Sequence, residues 1–182
     1  MVPEFYARDE HGVPLRWVAR MRESMACLTP RFSANRTVRE YTEQHYLPAA
    51  ADYCKRAADK GKLGAELCVW RRIVEQHWAR VRFGAVAVES GAQEHRFDIQ
   101  VYLDDLAPDA VRVELYATSQ NGTEPVRQPM TRGEALVGSA GGYLYSARVP
   151  ATRPPSDYTA RAIAWHPDAT VPLEAPEILW QK

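Results

Sequence analysis

The side chains in this sequence that could do chemistry are few, and their spacing does not suit it. The five histidines, His11, His45, His77, His95 and His166, show neither H-x-x-x-H nor H-E-x-x-H spacing, the arrangements that set two imidazoles on one helix face around a metal. His45, one helical turn beyond Tyr41, reads as a hydrogen-bonded packing residue. The acidic pairs Asp9-Glu10 and Asp104-Asp105 fall in loop-like text, and a carboxylate dyad for glycoside chemistry needs a concave site around it. The glycine cluster Gly138-Ser139-Ala140-Gly141-Gly142 lies between strand patterns rather than ahead of a helix, so it suits a hairpin loop and not a phosphate cradle. Cys27, Cys54 and Cys68 form no C-x-x-C pair. They read as small buried hydrophobes with reduced thiols, as in a cytoplasmic protein. Two uses are open for Tyr143, Tyr145, Trp165 and Trp180: a platform on which pyranose rings stack, or ordinary packing on and under strands, with Tyr158 as a corner tyrosine bonded to backbone. No catalytic, cofactor-binding or metal-ligating residue is expected in this chain.

The elements that would position any site change character near residue 82. Before it, Leu15, Val18, Met21, Met25 and Leu28 step by three or four and share one helix face, with Pro14 at its start and Pro30 past its end. A second helix is expected from Asn35 or Thr37, because Thr37 and Glu40 have capping-box spacing. Pro48 should kink or break it, and the alanine-rich text after Pro48 carries helix on to about Lys60. Gly61 and Gly64 mark a turn. A third helix then lines up Leu63, Leu67, Trp70, Val74, Trp78 and Val81 along one stripe, leaving Arg71, Arg72, Glu75 and Gln76 off it.

After Arg82 the period falls to two. Phe97, Ile99, Val101 and Leu103 alternate with polar residues, as do Val111, Val113 and Leu115. Tyr143 to Val149 and Tyr158 to Trp165 read as strands, with shorter ones at Phe83 to Val88 and Ile178 to Trp180. Turn text separates them: Asp104 to Pro108, Asn121-Gly122, Gly141-Gly142 and Pro154-Pro155. The expected fold is α+β: a helical segment over 1–81, then an antiparallel immunoglobulin-like β-sandwich over 82–182.

The composition excludes some partners. Lys plus Arg and Asp plus Glu both number 23 in 182 residues, which leaves no net field to gather polyanions, so nucleic acid is not an expected partner. No apolar run approaches the ~18–20 residues that span a bilayer, so neither is a membrane.

Specific residues carry a resemblance. Phe5-Tyr6, then Trp17, then Arg31, Phe32, Arg36, Val38, Glu40 and Tyr41, then Tyr46-Leu47-Pro48-Ala49 are similar to the closing helices of the catalytic domain in bacterial α-glucan (glycogen) phosphorylases. The stretch LDDLAPDAVRVELY, Leu103 to Tyr116, resembles the β-rich tail that one bacterial branch appends. The resemblance implies a glycosyltransferase with two Rossmann-type (GT-B) lobes, pyridoxal phosphate on a lysine, and phosphorolysis of glucan to glucose 1-phosphate and a shortened chain. It also implies that this chain is the C-terminal end of something longer, with Met1 set directly before the family-like text. The family's Glu-Ala-Ser-Gly-Thr-x-x-Met-Lys stretch does not occur here, and Lys55, Lys60, Lys62 and Lys182 fall at helix ends, a turn and the C-terminus. The chain alone is therefore expected to be inactive, without cofactor, and structural. Arg36, Arg39 and Glu40 are expected to form an ion-pair and capping arrangement. Residues 14 to 60 should lie on the remainder of the catalytic domain, so that Trp17, Phe32, Tyr41 and Tyr46 face that body. Exposed alone, such a face favours homo-oligomers. A contact with α-glucan, or a stand-alone carbohydrate- or protein-binding sandwich, is the alternative.

Overall fold

The computed structural model describes residues 2–120, 122 and 124–181. Met1, Lys182 and the Asn121 half of the expected Asn121-Gly122 turn lie outside these residues. The chain divides into two compact units, Met1–Ala58 and Asp59–Lys182.

Unit 1 is helical. Helices α1 (Val2–Tyr6), α2 (Leu15–Leu28) and α3 (Ala34–Tyr41) are followed by a π-helical turn, Thr42–Tyr46, and by the start of α4 (Leu47–His77). Pro14 caps α2 at its N-terminus and Pro30 lies just past its end. The start of α3 differs from the expected Thr37–Glu40 box. Ser33 is the cap, its hydroxyl accepting from the Arg36 backbone N–H, while the Thr37 hydroxyl bonds back to the Ser33 carbonyl. Pro48 does not break the helix either. The wider π turn ends just before it, and such insertions are a recognised way to shift the hydrogen-bond ladder inside a helix. Phe5 packs edge-on against Trp17 at 5.6 Å, and Arg20 Nη2 donates to Glu4 Oε1 at 3.0 Å. No described residue of unit 1 is buried.

The unit boundary falls within α4, where Asp59, Lys60 and Gly61 all have positive φ. Gly61 takes this conformation at no steric cost, whereas each of the other two costs roughly 1–2 kcal/mol. The expected turn is thus a left-handed step at 59–61, and Gly64 remains helical.

Unit 2 joins the end of α4 to eight strands: β1 (Arg82–Ser90), β2 (Glu94–Tyr102), β3 (Val111–Ala117), β4 (Val126–Pro129), β5 (Thr131–Ala135), β6 (Gly142–Pro150), β7 (Thr159–Ala164) and β8 (Ile178–Trp180). They form two antiparallel sheets, β1-β2-β6-β5 and β4-β3-β7-β8, so the fold is α+β. One core holds both inner faces together: Phe97, Ile99, Val101, Tyr145 and Val149 from the first sheet meet Val113, Leu115, Ala160 and Ala162 from the second. Val74 and Val81 from the expected helix stripe enter that core, and Trp70 and Trp78 pack against it. The glycine cluster forms the β5–β6 hairpin loop as read. A side chain at Gly141, where φ is +69°, would place Cβ 2.4 Å from the Asp104 carbonyl oxygen, so this glycine is required twice over. Strands β4 and β5 were not expected. Both are sheet edges, largely exposed, and interrupted by Pro129 and Gly133, so they carry no alternation to read.

Candidate functional site

The aromatic face expected on unit 1 is present and uncovered. Phe32 is 70% exposed and Tyr53 73%, and Tyr41, Tyr46, Leu47, Met21, Met25 and Leu28 are also exposed. Trp17 alone of the expected four is half-buried, against Phe5. Arg36 pairs with Glu40 at 3.5 Å one turn away and lies over Phe32, in line with an ion-pairing role. His45 packs against the Tyr41 ring as expected, 5.4 Å between centroids, though on an exposed face of the helix. The cysteines also depart from expectation: Cys27, Cys54 and Cys68 are all free and exposed, because the helix faces that bear them have no covering layer in this chain. A furrow of about 590 Å³ lies along α2, lined by residues of that one helix, and no polar groups converge on it from a second wall.

In unit 2 the fold brings together one metal-like constellation that the sequence spacing concealed: His77 from the end of α4 with Asp104 and Asp105 from the β2–β3 connection. The centre of this cluster already holds a cation. Arg80 Nη1 lies 3.0 Å from Asp104 Oδ2 and 3.9 Å from Asp105 Oδ2, whereas His77 Nδ1 stays 3.7 and 3.8 Å from those oxygens, beyond hydrogen-bond range. The hydrogen bond from Arg80 holds the Asp104 carboxyl below the usual range against a smaller opposing effect of desolvation. The cluster ties the end of the helix to the strand connection.

The four aromatics considered as a sugar platform are divided between two places. Trp180 stands with Tyr116 around Arg161, whose Nε donates to Glu114 Oε1 at 2.7 Å and whose Nη2 donates to the same oxygen. Glu114 is only 4% exposed, and the aromatic rings shield the pair from water. Trp165 and Tyr145 border an opening of about 540 Å³ on the side of the sheets where β4 crosses to β5 through Met130; Tyr143 lies beside it, under Arg132. The Arg112 guanidinium covers one face of Trp165 at 3.2 Å from the ring centroid. Tyr145 is 3% exposed, its hydroxyl has no hydrogen-bond partner among the described residues, and burial pushes the phenol up to about 12. Tyr158 packs edge-on against Phe97, and no corner hydrogen bond from it occurs among the described residues.

The lysines do not fit pyridoxal phosphate. Lys55, Lys60 and Lys62 are exposed, and a Schiff-base lysine needs a desolvated pocket to lower its pKa; Lys182 lies outside the described residues. No helix of the described residues is long and apolar enough to cross a membrane.

The described residues thus form a helical unit that buries none of its side chains and a second unit built on a packed pair of antiparallel sheets. Residues 78–182 match the glycogen phosphorylase C-terminal domain, and the chain belongs to that family. It is 31% identical over 176 residues to the glycogen phosphorylase of Mycobacterium tuberculosis (strain ATCC 25618 / H37Rv), covering 92% of this chain and 20% of that protein. It is 31% identical over 116 residues to the maltodextrin phosphorylase of Thermococcus litoralis, covering 64% of this chain and 13% of that protein. A further match, 37% identical over 46 residues, is to the glycogen phosphorylase of Aquifex aeolicus. The chain thus spans about a fifth of the length of the curated relatives it matches most broadly.

Proposed function

We propose that this chain is the C-terminal portion of an α-glucan phosphorylase and serves it structurally. The whole enzyme would convert glucan and phosphate to glucose 1-phosphate and a shortened glucan, with pyridoxal phosphate and the catalytic groups held by the remainder of the protein. Residues 1–81 would be the closing helical segment of the GT-B catalytic domain. Residues 82–182 would be the appended immunoglobulin-like sandwich, a reading supported by two antiparallel sheets around a common core. Three free, exposed thiols suit a reducing cytoplasmic setting.

One observation carries the reading: unit 1 has large apolar and aromatic side chains and buries none of its described residues. Ordering a backbone residue costs about 1–2 kcal/mol, and helices below ~12–15 residues are marginal in water without tertiary burial. These helices need a surface to lie on, and the rest of a phosphorylase supplies one. Self-association of the same face is the competing use. A sugar platform gains no support from the aromatics, since Arg112 and Arg161 lie against Trp165 and Trp180.

Hydrogen exchange tests the proposal. In the isolated chain at low concentration, amides of residues 2–58 should exchange within about tenfold of free-peptide rates, while β2, β3 and β6 are protected to the level of global unfolding. Adding a family phosphorylase that lacks the matched segment should protect the helices. Helices protected as fully as the strands in the isolated monomer would overturn it, as would phosphorolysis by the chain alone.

A further inference from the structure

The opening beside the β4–β5 crossing gathers a guanidinium with no carboxylate partner, a second guanidinium held by a surface carboxylate, and a phenol hydroxyl with no partner among the described residues. Its volume, about 540 Å³, falls within the range of small-molecule sites. Arg112 reaches it from β3, and among the described residues no carboxylate lies within ion-pair distance of that guanidinium. Its stacking on Trp165 fixes the plane of the fork without using its N–H groups. Arg132 enters from β5 and is held by Asp109, whose side chain is 93% exposed and points to water. Tyr145, paired with Arg132 across β5 and β6, lines the same opening, and its buried hydroxyl has no partner among the described residues; Arg132 and Asp109 are the charged groups that act on it.

A phenol buried without a partner forgoes the hydrogen bonds it makes in water, and a Phe in its place would carry no such penalty. Its presence beside two guanidinium groups makes sense if a ligand accepts from all three. We propose that this opening binds a phosphate monoester, with Arg112, Arg132 and the Tyr145 hydroxyl donating to the terminal oxygens. Planar guanidinium forks match phosphate bidentately, and three donors from β3, β5 and β6 suit an anion with three free oxygens. The balance of Arg112 and Arg132 against Asp109 leaves one positive charge for it. The volume exceeds what a bare phosphate fills, so the organic part would lie against Met130, Trp165 and the prolines of the rim. Trp165 gives one face to Arg112, which disfavours a neutral sugar stacked there.

The probe is chosen on the phosphorylase reading. The 182-residue chain would be titrated calorimetrically with glucose 1-phosphate, inorganic phosphate and maltose. Glucose 1-phosphate should saturate, inorganic phosphate should compete more weakly, maltose should be silent, and affinity should fall with added salt. Arg112→Gln should weaken binding about tenfold or more. Tyr145→Phe should weaken it about threefold while leaving the melting temperature unchanged or higher, a combination that a packing role does not give. Should Arg112→Gln fail to fold, Tyr145→Phe alone decides. Silence with both phosphates, unchanged affinity in the variants, or saturable maltose binding in their place would overturn the proposal. Failure of the phosphorylase reading would show separately, as helices protected from exchange with phosphate binding intact.

Discussion

Helix α2 in unit 1 and residues 63–81 in unit 2 carry the same kind of apolar stripe, and the two meet different surroundings. Val74 and Val81 of the second stripe are buried in the core cluster, with Trp70 tilted against His166 at 5.4 Å and Arg71 bound to Glu177 at 2.6 Å. Leu15, Met21, Met25 and Leu28 of the first stripe stay in water. Periodicity reports which face of a helix wants cover and says nothing of whether this chain provides it. The difference locates the stability of the molecule in unit 2 and leaves unit 1 as a surface.

The sharpest way to break this contrast is to truncate one apolar residue of the stripe or core in each unit. Leu115→Ala, between the sheets, should cost about 2–5 kcal/mol by denaturant unfolding, the range for emptying a packed leucine site. Met25→Ala on α2 should stay within about 0.5 kcal/mol. A comparable cost at Met25 in the isolated chain would mean that the helices form their own cooperative core.

A second probe is electrostatic. Glu114→Ala strips the partner from Arg161 beneath Trp180 and Tyr116, and should cost about 3 kcal/mol, since breaking a buried pair strands a charge. The half-buried Arg36–Glu40 pair of unit 1, one helical turn apart at 3.5 Å, should contribute less than about 0.5 kcal/mol when Glu40 is changed to Ala, read in the same unfolding assay. Equal effects at the two pairs would erase the distinction between the units.

Much of unit 2 was legible because buried strands alternate. The period-two text at Phe97–Leu103 and Val111–Leu115 marks inner faces that the structure buries. Strands β4 and β5 were not legible, since edge strands exposed on both faces leave no pattern for selection by burial to impose. The side opening was hidden for another reason. Arg112, Arg132 and Tyr145 come from β3, β5 and β6 and Trp165 from the residue after β7, and sheet pairing, not sequence spacing, brings them together. In unit 1 the helices were legible, but the fate of the cysteines was not: small apolar residues read as buried only if a second layer is present.

Glycines sharpen the comparison at smaller scale. Gly12 and Gly141 both have positive φ, so Ala at either pays a backbone penalty of roughly 1 kcal/mol or more. At Gly12 a Cβ meets nothing within 4 Å, whereas at Gly141 it would strike the Asp104 carbonyl at 2.4 Å. Gly141→Ala should therefore lower global stability by about 2 kcal/mol or more through the strain at the β2–β3 connection. Gly12→Ala should leave the main transition unmoved, because its loop lies in the unit that does not set it.

The smallest expected effect is a dependence on pH, and it too separates the units. Arg80 lowers the Asp104 pKa and Arg20 lowers that of Glu4, so each pair favours the folded state above the ordinary carboxylate range, near pH 4. As pH falls below that range the unfolded chain takes up a proton first, and the contribution is lost as pH passes through the folded-state value. Asp104→Asn should lower the main unfolding transition modestly at pH 7 and leave it little changed near pH 2, which removes part of the acid-side decline between about pH 4 and pH 2. Glu4→Gln should leave that decline as it was, since its pair lies among helices whose order does not govern the transition. If Glu4→Gln flattened the acid limb as much as Asp104→Asn, the helices would be folding with the sheets, and the surface assigned to unit 1 would be an interior.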